Sequence, residues 1–160
     1  MRRAMTTLAV AALAAVAPAP AHAAFGITLG PAPAFPAFVP GEETTYAATM
    51  AATVESDEPG AVLTVADAGG GPAPGHLRHP SGAALADPLH VAAQTGAPGA
   101  TGSASSPLGA APVVLATYAQ PLTAPDPIAI SLSQRIRASE PLRSGRYATT
   151  RVLTWTSTTP

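Results

Sequence analysis

The 160-residue sequence contains no cysteine. Disulfides, zinc–thiolate sites, lipid attachment through cysteine and a thiol nucleophile are therefore excluded. Lysine is absent as well, so every basic residue is arginine. Charged residues make up 11% of the chain and aromatic residues 4%, which leaves neither a basic stripe nor the interleaved rings that nucleic-acid binding uses. No run beyond the N-terminal region approaches the roughly 18 apolar residues of a membrane-spanning helix. Neither nucleic acid nor a membrane span is expected. Long helices are also excluded, because 19 prolines and 14 glycines are spread along the chain. Each internal proline removes a backbone donor and clashes with the preceding turn.

The first residues carry an export pattern. Met1-Arg2-Arg3 is a short positive segment, Leu8 to Val16 is an apolar stretch, and Ala21-His22-Ala23 is a small-x-small cleavage site. Residues 1–23 read as a signal peptide, which places the mature protein outside the cell, secreted or associated with the cell surface. Cleavage one step earlier, after Ala21, would leave His22 at the mature N-terminus, where an amine and an imidazole can chelate copper. The mature chain, residues 24–160, holds six arginines against nine acids. Glu42, Glu43, Glu55, Asp57 and Glu58 lie close together in sequence and read as solvated turns.

What remains is a series of short alternating segments separated by turn residues. Tyr46 to Glu55 puts Tyr46, Ala48, Met50, Ala52 and Val54 on one face and threonines with small residues on the other. Ala61 to Asp67 alternates with Leu63 and Val65 inward, and "SDEPG" between the two reads as a hairpin loop. His76 to His79, Leu89 to Ala93, Val113 to Tyr118, Ile128 to Ser133 and Tyr147 to Ser157 complete the set. Residues 94–112 are rich in Gly, Ser and Pro and read as a flexible surface loop. The Pro-rich lead-in, residues 31–41, reads as a polyproline-like edge whose Phe35 and Phe38 cover the end of the core. About seven or eight short strands without a helix predict an antiparallel immunoglobulin-like β-sandwich in one domain.

The last strand carries the sharpest signals. Gly145 stands two residues before Tyr147, the arrangement of a tyrosine corner, in which the hydroxyl bonds to backbone upstream. Alternation from Tyr147 sends Thr149, Arg151, Leu153 and Trp155 inward. Leu153 and Trp155 suit a core. Arg151 does not, and an unpaired buried guanidinium is costly. It must lie at a bulge, at a rim, or be paired with an acid. The stretch "LRSGRYATTRVLTWTSTTP" resembles the C-terminal strand of uncharacterised secreted bacterial immunoglobulin-like proteins, with their Gly-x-Tyr and "LTFTLSTTTP"-like ending. Leu153-Thr154-Trp155-Thr156 and Pro160 are also similar to the second motif of WxL cell-surface domains, although Trp155 is the only tryptophan and a first W-x-L is missing. The resemblance implies a sandwich at the cell exterior, with a cell-surface protein or polysaccharide as its partner.

Chemistry-bearing residues are few. His76, His79 and His90 are the candidates for a zinc or copper site, with Asp67 and Asp87 near in sequence. Three residues apart on a strand, His76 and His79 would face opposite sides, so the plainer reading is exposed loop histidines. No G-x-S-x-G is present, and Ser105-Ser106 lies in the low-complexity stretch. No enzymatic activity and no cofactor are expected. The functional expectation is a non-catalytic extracellular structural or interaction module; a strand-exchanging subunit of a surface fibre is the second reading. N-terminal sequencing of the protein secreted by its host should begin at Ala24; a start at His22 together with bound copper would instead establish the metal reading.

Overall fold

A computed structural model describes residues 25–156 except residues 70 and 150, and the backbone but not the side chains of Leu153 and Trp155. The expected signal peptide and His22 lie outside the described residues. Among the described residues there are nine strands: β1 (Phe25–Leu29), β2 (Thr44–Ser56), β3 (Ala61–Asp67), β4 (His90–Gln94), β5 (Ala100–Gly102), β6 (Ser106–Pro107), β7 (Val113–Tyr118), β8 (Asp126–Ile136) and β9 (Arg151–Thr156). They form two antiparallel sheets, β1-β2-β8-β4-β6 and β5-β7-β3-β9. The chain is all-β and sandwich-like, as its strand spacing predicts. The strand number exceeds the expected seven or eight because the expectation does not include β1, although Phe25, Ile27 and Leu29 alternate in it, nor the very short β5 and β6, which lack an apolar run.

Between the sheets, alternation becomes burial. β2 contributes Met50, Ala52 and Val54; β8 contributes Ile128, Ile130 and Leu132; β4 contributes Val91 and Ala93. Ala61, Leu63 and Val65 of β3 and Leu115, Ala116 and Tyr118 of β7 meet them from the other sheet. The small alanines leave room for the branched side chains opposite, which is how two inner faces interdigitate. A second cluster of Leu77, Leu85 and Ile136 lies under Phe35, Phe38, Tyr46, Leu142 and Tyr147.

"SDEPG" is not a hairpin loop. β2 and β3 lie in different sheets, so residues 57–60 form an arch from one layer to the other. The reason is that both strands need their apolar faces covered, and facing one another across the core does this where lying side by side would not. Residues 94–112 are likewise not one continuous loop, since β5 and β6 form within them. Gly102 of β5 lets this segment pass close to β4 of the other sheet: a Cβ there would stand 2.3 Å from the carbonyl oxygen of Ala93. The strand expected over His76 to His79 reduces to a pair of bridges at Arg78, to Ala84 and to Ala148.

At its centre the arrangement is that of an immunoglobulin-type sandwich. β1, β2 and β8 take the places of strands A, B and E, and β3 and β9 those of C and F. It departs from that plan in visiting β4, beside β8, before β7, beside β3. β9 is the outer strand of its sheet, so the place next to it is not filled by any described strand. Leu115→Ala should cost about 3 kcal/mol, since this fully buried side chain (0% exposed) lies at the centre of the inter-sheet core. The drop in urea midpoint at unchanged slope measures it.

Candidate functional site

The site of interest is a groove along one flank of the sandwich, with a volume of about 780 Å³. One wall is the Pro-rich segment after β1, from Ala32 to Phe38; the other runs from Gly145 through Tyr147 and Thr149 to Arg151. Met50 and Leu77 line it from the core. Proline explains why the first wall does not become a strand of the sheet. A residue without an N–H cannot continue a ladder, and Pro31, Pro33 and Pro36 recur where it would have to run. The segment is anchored at its ends instead. The Gly30 N–H donates to the Ala51 carbonyl at 2.8 Å, and the Val39 N–H donates to the Tyr46 hydroxyl at 2.8 Å. Between these points Phe35 and Phe38 pack downward, with the Phe38 ring 4.9 Å from Tyr46 and 6.1 Å from Tyr147.

Gly145 and Tyr147 build the second wall. The Arg143 N–H donates to the Tyr147 hydroxyl at 2.7 Å, which ties the ring to backbone four residues upstream. Gly145 has φ +135°, and a Cβ there would come within 2.7 Å of His79 Nε2. Glycine is thus required for both the backbone angle and the close approach of the imidazole. His79 fastens this turn: Nε2 bonds the Ser144 carbonyl at 3.1 Å, while Nδ1 meets the Ser81 hydroxyl at 2.8 Å and the Ser81 N–H at 3.1 Å. Those partners suit a neutral ring protonated on Nε2.

Arg151 is paired in register with Asp67 of β3, and the β3–β9 ladder runs without a bulge. The two lie on one inward face, but Arg151 opens the outer strand of its sheet and is half-buried, so of the three expected surroundings the observed one is the rim. The Asp67 carboxylate, 7% exposed, is already engaged. It accepts the Gly69 N–H at 2.8 Å and the Gly75 N–H at 2.6 Å, with a further hydrogen bond from the Thr149 side chain. Burial opposes its ionisation. The Gly75 and Gly69 N–H groups, the Thr149 hydroxyl and the Arg78 charge outweigh that and hold the carboxyl below its ordinary value. Arg78 completes the loop by donating to the Ala73 carbonyl at 2.9 Å. Burial lowers the half-buried Arg151 guanidinium below its usual value, and attraction to Asp67 opposes the shift. Among the described residues Arg151 forms no ion pair within 4 Å and no hydrogen bond from its guanidinium.

Asp67 was legible in one respect, since Asp followed two residues later by Gly is an Asx-turn signal. Its long reach to Gly75 and Thr149 was not. The register puts Leu153 opposite Val65 and Trp155 opposite Leu63, while their side chains lie outside the described residues. Val152, Thr154 and Thr156 point outward and are exposed.

The histidines are not the exposed loop residues expected. His76, His79 and His90 are all half-buried. The reason is that ring nitrogens crosslink loops: His76 Nδ1 bonds the Leu85 carbonyl at 2.6 Å, and His79 joins Ser81 to Ser144. His90 Nδ1 lies 3.5 Å from the Ser105 hydroxyl. Among the described residues no three His, Asp or Glu side chains converge as a metal site. Glu42, Glu43, Glu55 and Asp57 are exposed, with Glu43 on Arg135 at 2.5 Å.

A second buried carboxylate holds the opposite end of the sandwich. Asp126 accepts from the Thr95 hydroxyl at 2.5 Å, the Tyr118 hydroxyl at 2.8 Å and the Gly96 N–H at 3.2 Å. Burial together with Asp126 pushes the Tyr118 phenol well above its ordinary value. Searches of protein-family models, of curated proteins and of solved structures returned no match to this chain.

Asp67→Asn should destabilise the protein at pH 7 by about 2 kcal/mol, because buried N–H donors lose a charged acceptor. The folded carboxyl titrates below the unfolded one. Its contribution is therefore complete above about pH 5, well over the unfolded value near 3.9, and is lost as pH falls through the folded value. Chemical denaturation of both proteins between pH 7 and pH 3 should show the difference shrinking.

Proposed function

We propose that this protein is a non-catalytic extracellular interaction module whose binding surface is the flank groove beside β9. The partner is a cell-surface protein or polysaccharide. The single observation that carries this reading is the groove itself, an apolar trough that presents Arg146 and Arg151 together with the Tyr147 wall. Concave apolar sites with a few placed polar groups are the usual form of a recognition site. The export pattern and the resemblance to secreted immunoglobulin-like proteins support the location.

A second reading draws on the outer edge of β9. A sandwich strand whose neighbouring place is taken by no described strand is the geometry from which strand-exchanging assemblies are made. In that reading the groove would hold a strand from another subunit of a surface fibre.

Immobilised mature protein should retain surface proteins or polysaccharides of its host saturably. Filling the groove by Ala34→Trp, at an exposed position on its wall, should weaken retention about tenfold or more without changing the circular dichroism. Retention unaffected by that substitution would overturn the assignment of the groove.

A further inference from the structure

We infer that the groove receives an extended acidic peptide segment of a partner protein, added as a strand to the outer edge of β9, with a carboxylate of that segment paired to Arg151. This rests on the reading of the groove as the interaction surface, and it names the partner's chemistry.

Three features converge on it. The first is the edge. β9 spans six residues and pairs with β3 on one side, whereas the other outer strands β1, β5 and β6 span five, three and two. Protected edges are short, bulged, or carry proline or lysine. β9 has neither proline nor lysine, and its ladder with β3 is continuous. Its outward backbone groups are a template for another strand.

The second is the trough beside that edge. The Pro-rich wall covers the core without pairing to β9, so the inward-facing side chains of an added strand would enter next to Leu29, Phe35 and Met50. At about 780 Å³ the volume suits a few such side chains. In strand addition the backbone supplies affinity, and the alternate side chains supply selectivity.

The third is charge. The groove lining includes Arg146 and Arg151 and no acid. Asp67, the acid opposite Arg151, accepts from the Gly69 and Gly75 N–H groups and the Thr149 side chain, and among the described residues no ion pair within 4 Å and no hydrogen bond joins it to the guanidinium. The Arg151 guanidinium carries five N–H donors in a planar fork, which a carboxylate accepts two at a time. A neutral apolar strand would bury that group with nothing to accept from it.

An inward-facing charge on an edge strand has an opposite use, as a guard that prevents strand addition. One experiment separates the two. A random twelve-residue peptide display library is selected on the mature protein, and enriched peptides are titrated as fluorescent conjugates against wild type, Arg151→Gln and Arg146→Gln. The expected result is enrichment of alternating β-prone sequences with an aspartate or glutamate, at least tenfold weaker binding to Arg151→Gln with an unchanged melting temperature, and a smaller loss for the exposed Arg146→Gln. Enrichment without acids, or equal binding to wild type and Arg151→Gln, would overturn the proposal. So would tighter binding or new self-association of Arg151→Gln, which marks a guard. Wild-type dimerisation abolished by Arg151→Gln would assign the groove to a second copy instead. Surface components that bind Arg151→Gln as well as wild type would leave the interaction module standing and remove only this partner.

Discussion

A buried carboxylate cannot stay charged unless its surroundings supply donors, and much of this molecule's flank follows from how Asp67 meets that requirement. Its two oxygens take N–H groups from Gly69 and Gly75, which folds the Gly- and Pro-rich loop after β3 back onto the sheet. Thr149 adds a third donor and draws in the segment before β9. With that segment come the Tyr147 wall and, one register pair along, Arg151 opposite the carboxylate. The groove has its shape because one acid holds two loops and the final strand together. Gly75 is committed to the same contact: its φ is +81°, and a Cβ would overlap the Leu108 carbonyl oxygen at 1.9 Å.

Asp126 does the corresponding work at the other end, gathering Thr95, Gly96 and Tyr118. A sandwich without disulfides, and with many alanines in its faces, gains less from burial per residue than one built on larger side chains. Satisfied polar hubs at both ends fix loops that apolar packing alone would leave to water. The histidines serve the same purpose at smaller scale. His79 in particular locks the turn at Gly145, with both of its ring nitrogens engaged.

Periodicity exposed most of the framework and little of the site. The faces of β2, β3, β7 and β8 were legible because an alternation of period two survives in any sheet that covers one side. The arch at residues 57–60 was misread as a hairpin because alternation says which face is inward and nothing about which sheet a strand joins. β5 and β6 went unseen because their residues are small and polar and their strands too short for an alternation to show. Gly145 and Tyr147 were legible as a local motif, since the bond from Arg143 to the Tyr147 hydroxyl spans only four residues. Asp67 with Gly75, Thr149 and Arg151 was not legible. Those contacts join residues far apart in sequence, and no local pattern encodes them.

By itself, the sequence determined the class: all-β, without thiol chemistry, without an apolar run beyond the N-terminal region long enough to cross a membrane, and with the inward and outward faces of its main strands set by alternation. Composition and period are properties of the chain and need no partner to be read. Only the tertiary structure decided that β2 and β3 face each other across the core, that β9 is an outer strand, and that Arg151 stands opposite an acid whose oxygens are already engaged. These depend on which strands meet and in what register. That is settled by covering both apolar faces and giving the buried carboxylates their donors at once, a condition on the whole molecule.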